Sequence, residues 1–277
     1  MRTASFVFAA LALTTSTALA QSREEPNLVF SIGLGLTSGR QLWDVAKQPL
    51  PVSGSAPALF DTVHLSRWLR PGIVGTLGIS YYRSPSFGYT LEFGYFGLSS
   101  EQRCVGPAVY AVESEQINKQ ACDRSQGQHV ATSVAGLQAG ITYRFLPSSK
   151  VAPYVRVGVG PALLSSLSFI TTTADVQSTQ CGTPNGVCNY ELIIESSPRT
   201  LTFLVSLAGG LSYWLGPAYR VRIEARDLIT AVPVPTGPSD FTSVAASDAP
   251  RQTKIVHTPV FTFGLDVVLE RRHTRRY

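Results

Sequence analysis

Three observations predict an all-β fold, an eight-stranded antiparallel up-and-down transmembrane β-barrel with long extracellular loops. Eight stretches alternate apolar and small or polar residues with a period of two. Their connections alternate strictly between long and short. The polar set carries charges of both signs, so the apolar set must face outward. No run of about 18 uninterrupted apolar residues follows the amino terminus, so a helical span is not expected.

The start of the chain reads as a targeting segment. Arg2 supplies the positive end, Phe6 to Leu13 a short apolar core, and Ala18-Leu19-Ala20 a small-x-small cleavage site before Gln21. Position 21 is not Cys, so a lipoprotein is not expected. The expected plan is a signal peptide at 1–20, a barrel at 21–269 and a basic periplasmic tail at 270–277. The formal net charge is +5, from 23 basic and 18 acidic residues, and losing Arg2 leaves 22 − 18 = +4. Much of that excess is Arg271, Arg272, Arg275 and Arg276. Basic residues are not interleaved with aromatics along one surface, which with export argues against nucleic-acid binding.

The strands are expected at 28–36, 72–82, 87–99, 129–145, 152–169, 200–215, 219–228 and about 256–269. Leu28, Phe30, Ile32, Leu34 and Leu36 set the pattern in the first, opposite Ser31, Gly33 and Gly35. Long excursions cover about 37–70, 100–128, 170–198 and 229–254. Short turns hold Ser84-Pro85, Pro147-Ser148 and Gly216-Pro217, residue types that turn a chain. Aromatics cluster beside these turns: Tyr81, Tyr82 and Phe87; Tyr143, Phe145 and Tyr154; Tyr213, Trp214 and Tyr219. They are expected to form an interfacial girdle.

Long, short, long, short, long, short, long, across eight strands, resembles the small bacterial outer-membrane barrels of the outer-membrane protein A and X type. The last strand is similar to the signal by which such barrels are recognised for insertion, polar-x-Gly-x-x-apolar-x-apolar, on Thr262, Gly264, Val267 and Leu269. It departs from that signal by ending in Leu rather than an aromatic, with eight residues after it. The resemblance implies a bacterial outer-membrane location, with outer-membrane lipid, lipopolysaccharide and the barrel-assembly machinery as partners.

An eight-stranded barrel is about wide enough for side chains to fill. Glu92, Arg156, Arg222, Glu224, Arg226 and Asp266 are therefore expected as a mixed-sign lumen network, with Asp266 aimed at the Arg-rich seventh strand and Gln138 or water taking leftover donors. Its expected role is a structural plug; a gated narrow pore is the alternative.

Four cysteines in an exported chain read as disulfides. Three pairings exist; Cys104–Cys122 and Cys181–Cys188 each fall within one excursion. No Cys-x-x-Cys occurs and no His is near either pair in sequence, so neither metal nor cofactor is expected. His64, His129, His257 and His273 show no spacing of a barrel lipase, acyltransferase or protease, so an enzyme is not expected. Trp43, Trp68 and Tyr110 are expected in exposed loops that contact an unknown extracellular ligand.

Overall fold

The computed structural model describes residues 27–51, 59–107, 109–110, 115–165, 172–177, 187–193, 201–216, 218–240 and 248–269. The expected signal peptide, the basic tail, Cys181 and the side chain of Cys188 lie outside the described residues. Eleven strands are described: β1 (Asn27–Thr37), β2 (Arg40–Pro51), β3 (Phe60–Tyr82), β4 (Phe87–Val105), β5 (His129–Arg144), β6 (Val151–Leu164), β7 (Thr172–Gln177), β8 (Val187–Ile193), β9 (Leu201–Trp214), β10 (Tyr219–Pro235) and β11 (Arg251–Val268). One helix, α1 (Glu115–Ser125), lies between β4 and β5.

Eight of these strands close a ring, in the order β1, β11, β10, β9, β6, β5, β4, β3 and back to β1, every pair antiparallel. Closure leaves no edge in the ring, which is the condition for crossing lipid with strands. No described helix is long and apolar enough to cross a membrane.

The registers fix the geometry. From Tyr89 one way the partners run Ile141, Val157, Leu207, Asp227 and Pro259, whose carbonyl accepts from Ser38 N. The other way they run Tyr81 and Leu28. The two routes reach β1 ten residues apart (38 − 28). A stagger of ten over eight strands, at about 3.3 Å per residue and about 4.8 Å between strands, tilts the strands about 40°.

The apolar set faces out. Leu34 is 66 % exposed and Phe263 60 %, and Ile79, Leu91, Ile141, Val157 and Leu211 are likewise exposed. Tyr81, Tyr143, Phe145, Tyr213 and Tyr219 ring the short-turn end on the same face. Tyr82 and Tyr154 do not: both are buried and point inward, which corrects their place in the expected girdle. Their even numbers share the inward parity of Ser80 and Arg156.

Two of the excursions read as loops are largely barrel wall. β2 continues β1 along the upper half of β3, Arg40 opposite Leu69 through Pro51 opposite Phe60. β3 is 23 residues long, roughly 75 Å of strand and, at that tilt, nearly 60 Å of height, against an apolar band of about 25 Å. β10 and β11 also run on together, from Tyr219 opposite Val267 to Pro235 opposite Arg251. The barrel therefore projects well above the lipid-facing band. Register shifts between Arg70 and Ile73, Gln41 and Trp43, and Val45 and Gln48 break the alternation there. A bulge swaps which parity faces inward, so above Pro71 the odd residues Leu65, Arg67 and Leu69 are buried.

Candidate functional site: the lumen and its cap

The lower lumen is polar and charged. Glu92 on β4 accepts from Arg156 Nη1 of β6 at 2.8 Å and from both terminal nitrogens of Arg226 on β10, the Nη2 contact at 3.1 Å. Glu224 accepts from Arg226 Nη2 at 2.6 Å, from Arg226 Nε at 2.9 Å and from Tyr154 OH at 2.8 Å. Arg156 Nη1 lies 3.7 Å from Glu224, and its Nε donates to Thr142 at 3.1 Å. Arg222 approaches Glu224 at 4.0 Å and Asp266 of β11 at 3.2 Å, an ion pair without hydrogen-bond alignment. All six charged residues singled out from the sequence are buried and meet in this one network.

Period two puts these side chains inside, and small residues opposite make the room. A Cβ on Gly210 would sit 2.7 Å from the Tyr154 hydroxyl, and one on Gly264 would sit 3.2 Å from Arg222 Nη2. Gly264 and Thr262 of the proposed insertion signal thus face the lumen, while Val267 is partly exposed and Leu269 faces outward past the end of β11. Among the described residues Gln138 takes no arginine; its Oε1 accepts from Ser206 at 2.5 Å. At the short-turn end Arg144 stacks on Tyr82 at 3.6 Å and Arg220 on Trp214 at 3.4 Å. Tyr154 was the member that sequence reading missed, although its parity with Arg156 carried the signal.

The upper lumen is apolar. Leu42, Leu50, Leu65, Val74, Phe96 and Leu204 belong to one buried cluster that also takes in α1 and the β7–β8 hairpin. Asn118 of α1 donates to Asp61 at 2.8 Å and to Pro51 O at 3.3 Å, which ties the helix to the hairpin of β2 and β3. A Cys104–Cys122 disulfide joins α1 to the end of β4. Arg67, above the apolar band, donates to Gln102 at 3.2 Å and to Thr172 of β7 at 3.0 Å. Burial lowers its guanidinium to about 10. Trp43, expected in an exposed loop, is buried at 3 % exposure beneath Arg67. Trp68 is half-buried under Arg103, and Tyr110 packs against the core.

Two histidines pair with carboxylates on the outer face, His64 with Asp44 at 2.5 Å and His257 with Asp227 at 2.7 Å. Neither imidazole is bonded to a hydroxyl among the described residues. No described group of His, Cys, Asp and Glu could hold a metal ion.

An apolar outer wall, a closed ring and a charged lumen define a transmembrane β-barrel. Among solved structures, the chain is similar to Neisserial surface protein A, at 10 % identity over 88 % of this chain and 99 % of that one, with a TM-score of 0.40. It is also similar to Ail, the attachment invasion locus protein of Yersinia pestis, at 10 % over 89 % and 100 %, TM-score 0.38. A third is the outer membrane protein OprG from Pseudomonas aeruginosa, at 9 % over 87 % and 92 %, TM-score 0.41. No family model matches the chain, and no curated protein does. The chain's own residues carry the functional reading.

Proposed function

We propose that this chain is a bacterial outer-membrane barrel that acts as a surface-interaction platform, with its lumen closed and its extracellular end braced to hold contact loops. The observation behind this reading is the apolar core above the membrane band, which packs β2, α1 and the β7–β8 hairpin into the barrel mouth. A solute channel has no use for a packed core in its path. Rigid presentation does, because ordering a loop beforehand removes that cost from binding. The mixed-sign network is then a plug that fixes which side chains are inside. The runner-up is a narrow gated channel in which Arg156 exchanges Glu92 for Glu224, 2.8 and 3.7 Å away.

Planar-bilayer recording of the refolded protein separates the two. The expected result is no unitary conductance, for the native chain and for Arg222→Ala alike. Steps that Arg222→Ala enlarges would move the reading to the channel. Deleting the segments between β2 and β3, β7 and β8, and β10 and β11 one at a time should reduce adhesion of producing cells to a host-matrix surface. Unchanged adhesion throughout would remove the platform reading.

A further inference from the structure

We propose that Ser38, His257 and Asp227 form a catalytic triad on the outer wall, at the top of the apolar band, that hydrolyses a fatty acyl ester held in the membrane. The proposal goes beyond the platform reading and shares with it only a barrel that crosses lipid. Asp227 Oδ2 lies 2.7 Å from His257 Nδ1. A carboxylate on Nδ1 fixes the tautomer that leaves Nε2 as the base. The register shows what stands on the other side of the ring. Pro259 of β11 has Asp227 of β10 opposite it on one flank. On the other flank is Ser38, whose N donates to Pro259 O at 2.9 Å. His257 is the next outward residue above Pro259. It reaches Asp227 by a diagonal step, and Ser38 stands one diagonal step away on the opposite flank. Asp, His and Ser are thus set in order across β10, β11 and the end of β1, all on the outward face.

Ser38 and Gly39 lie between β1 and β2, and Ser38 is exposed. Among the described residues its hydroxyl makes no bond to the imidazole. A serine side chain turns about one bond, and base–nucleophile contacts in free enzymes are often long until substrate binds. Arg40 Nη1 donates to His257 O at 2.8 Å, and the guanidinium held over this join has further N–H groups to offer a developing oxyanion. Asp227 stands outward between Ala225 and Ile229, on the wall that faces lipid below, where a charge is costly and marks a functional position. Apolar ground lies directly beneath. Leu36, Phe261 and Ile73 are 63 %, 66 % and 68 % exposed, and Leu36 is paired with both of the others. Ser38 is two residues above Leu36 and His257 four above Phe261. At about 2.5 Å of height per tilted residue, that is roughly 5–10 Å. The hydroxyl therefore sits at the boundary of hydrocarbon and headgroups, where an ester lies with its acyl chain below it. In the reaction the Ser38 oxygen attacks the ester carbonyl as its proton passes to His257 Nε2. The bond from carbonyl carbon to alkoxy oxygen breaks, and His257 gives that proton to the departing alcohol. Water then attacks acyl-Ser38 while giving a proton to His257, the fatty acid leaves, and Ser38 takes the proton back. Sequence spacing carries no trace of this set, because closure of β11 against β1 is what brings residues 38 and 257 together.

The test uses the full-length refolded protein in detergent micelles, with the heat-modifiable gel shift certifying each fold. p-Nitrophenyl decanoate should be hydrolysed above the micelle blank, and a fluorophosphonate should label Ser38 alone when the peptides are mapped by mass. Ser38→Ala and His257→Gln should each lower kcat at least a hundredfold. Asp227→Asn, which alters a positioning residue, should lower kcat at least tenfold with KM unchanged and slow the labelling of Ser38 in proportion. Ser149→Ala, at a short turn on the opposite end, should change neither. If the His257 or Asp227 variant does not refold, labelling of the native protein at Ser38 still decides. Phosphatidylglycerol vesicles that hold the protein should release fatty acid, and decanoate should exceed p-nitrophenyl acetate at least tenfold in kcat/KM. Equal use of acetate and decanoate, or vesicle lipid left intact, overturns the membrane ester as the substrate class. Labelling at another serine, no labelling at all, or turnover that survives Ser38→Ala overturns the triad. None of these readouts depends on adhesion or conductance, so failure here is distinct from failure of the platform reading.

Discussion

Glu224 and Arg67 are both buried charges, and the structure gives them opposite consequences. Glu224 is 0 % exposed and is approached by Arg226, Tyr154, Arg156 and Arg222. Removing its charge strands guanidinium groups that have left water. Glu224→Gln should cost about 3–5 kcal/mol, and Tyr154→Phe, which removes one bond to a charge, about 1.5–3 kcal/mol. Urea unfolding of the barrel in lipid vesicles would rank the two; equal losses would show that Glu224 does not hold the network. Arg67 donates to Gln102 and Thr172, both neutral, and Thr172 Oγ1 already donates to Gln102 at 3.1 Å. Arg67→Met fills the volume, leaves that bond and removes a desolvated charge, so it should change stability by no more than about 1 kcal/mol. Because burial lowers Arg67 to about 10, the unfolded chain binds the extra proton above that pH. Stability from this group should therefore rise with pH beyond about 10, and the rise should vanish in Arg67→Met. The six network residues were legible because charge at inward parity is costly and therefore informative. Beyond Asp266 facing Arg222 of the adjacent strand, their pairing was not, because stagger decides which strands' side chains meet.

At the scale of elements, the ring strands were readable where alternation is unbroken. β1, β4, β5, β9 and the lower parts of β3, β10 and β11 are such stretches. β2 and the upper part of β3 were read as loop because bulges at Gln41/Trp43, Val45/Gln48 and Arg70/Ile73 interrupt the period, and Pro49, Pro51 and Pro71 read as breakers. Trp43 was misplaced for the same reason: a shifted register reversed its face. α1 escaped notice because its buried side is thin, Ile117, Ala121 and Cys122 on an otherwise polar helix. Such a helix depends on what holds it. Cys104 and Cys122 are 18 residues apart, a closure that stabilises by about 3 kcal/mol in the chain-entropy account. Cys104→Ser/Cys122→Ser should concentrate its loss in α1, with faster hydrogen exchange over residues 115–125 and an unchanged heat-modifiable shift for the barrel. Global loss of the shift would show that the cap and the barrel fold as one unit.

For the molecule as a whole, closure falls to β11. Its lower half pairs with β1 from Val268 opposite Val29 to Val260 opposite Thr37. The last bond of the seam is Leu269 N to Leu28 O at 2.8 Å. Above Thr37 the join between β2 and β11 includes Arg40 and Lys254 side-chain bonds. The lower seam therefore stands between lipid and two unpaired strand edges, and unpaired backbone groups in lipid cost several kcal/mol each. A chain ending at Leu269 should refold into vesicles with the native heat-modifiable shift and resistance to protease. A chain ending at Phe261 keeps the β10 partner of the upper half of β11 but loses seven pairs of the β1 seam, Val268 through Thr262. It should fail to give the compact band in the same vesicles. If the longer truncation also failed, the basic end would be needed for assembly and Leu269 would not complete the closing strand. If the shorter one assembled, the ring would be held by its upper join, and the lower seam would not decide closure.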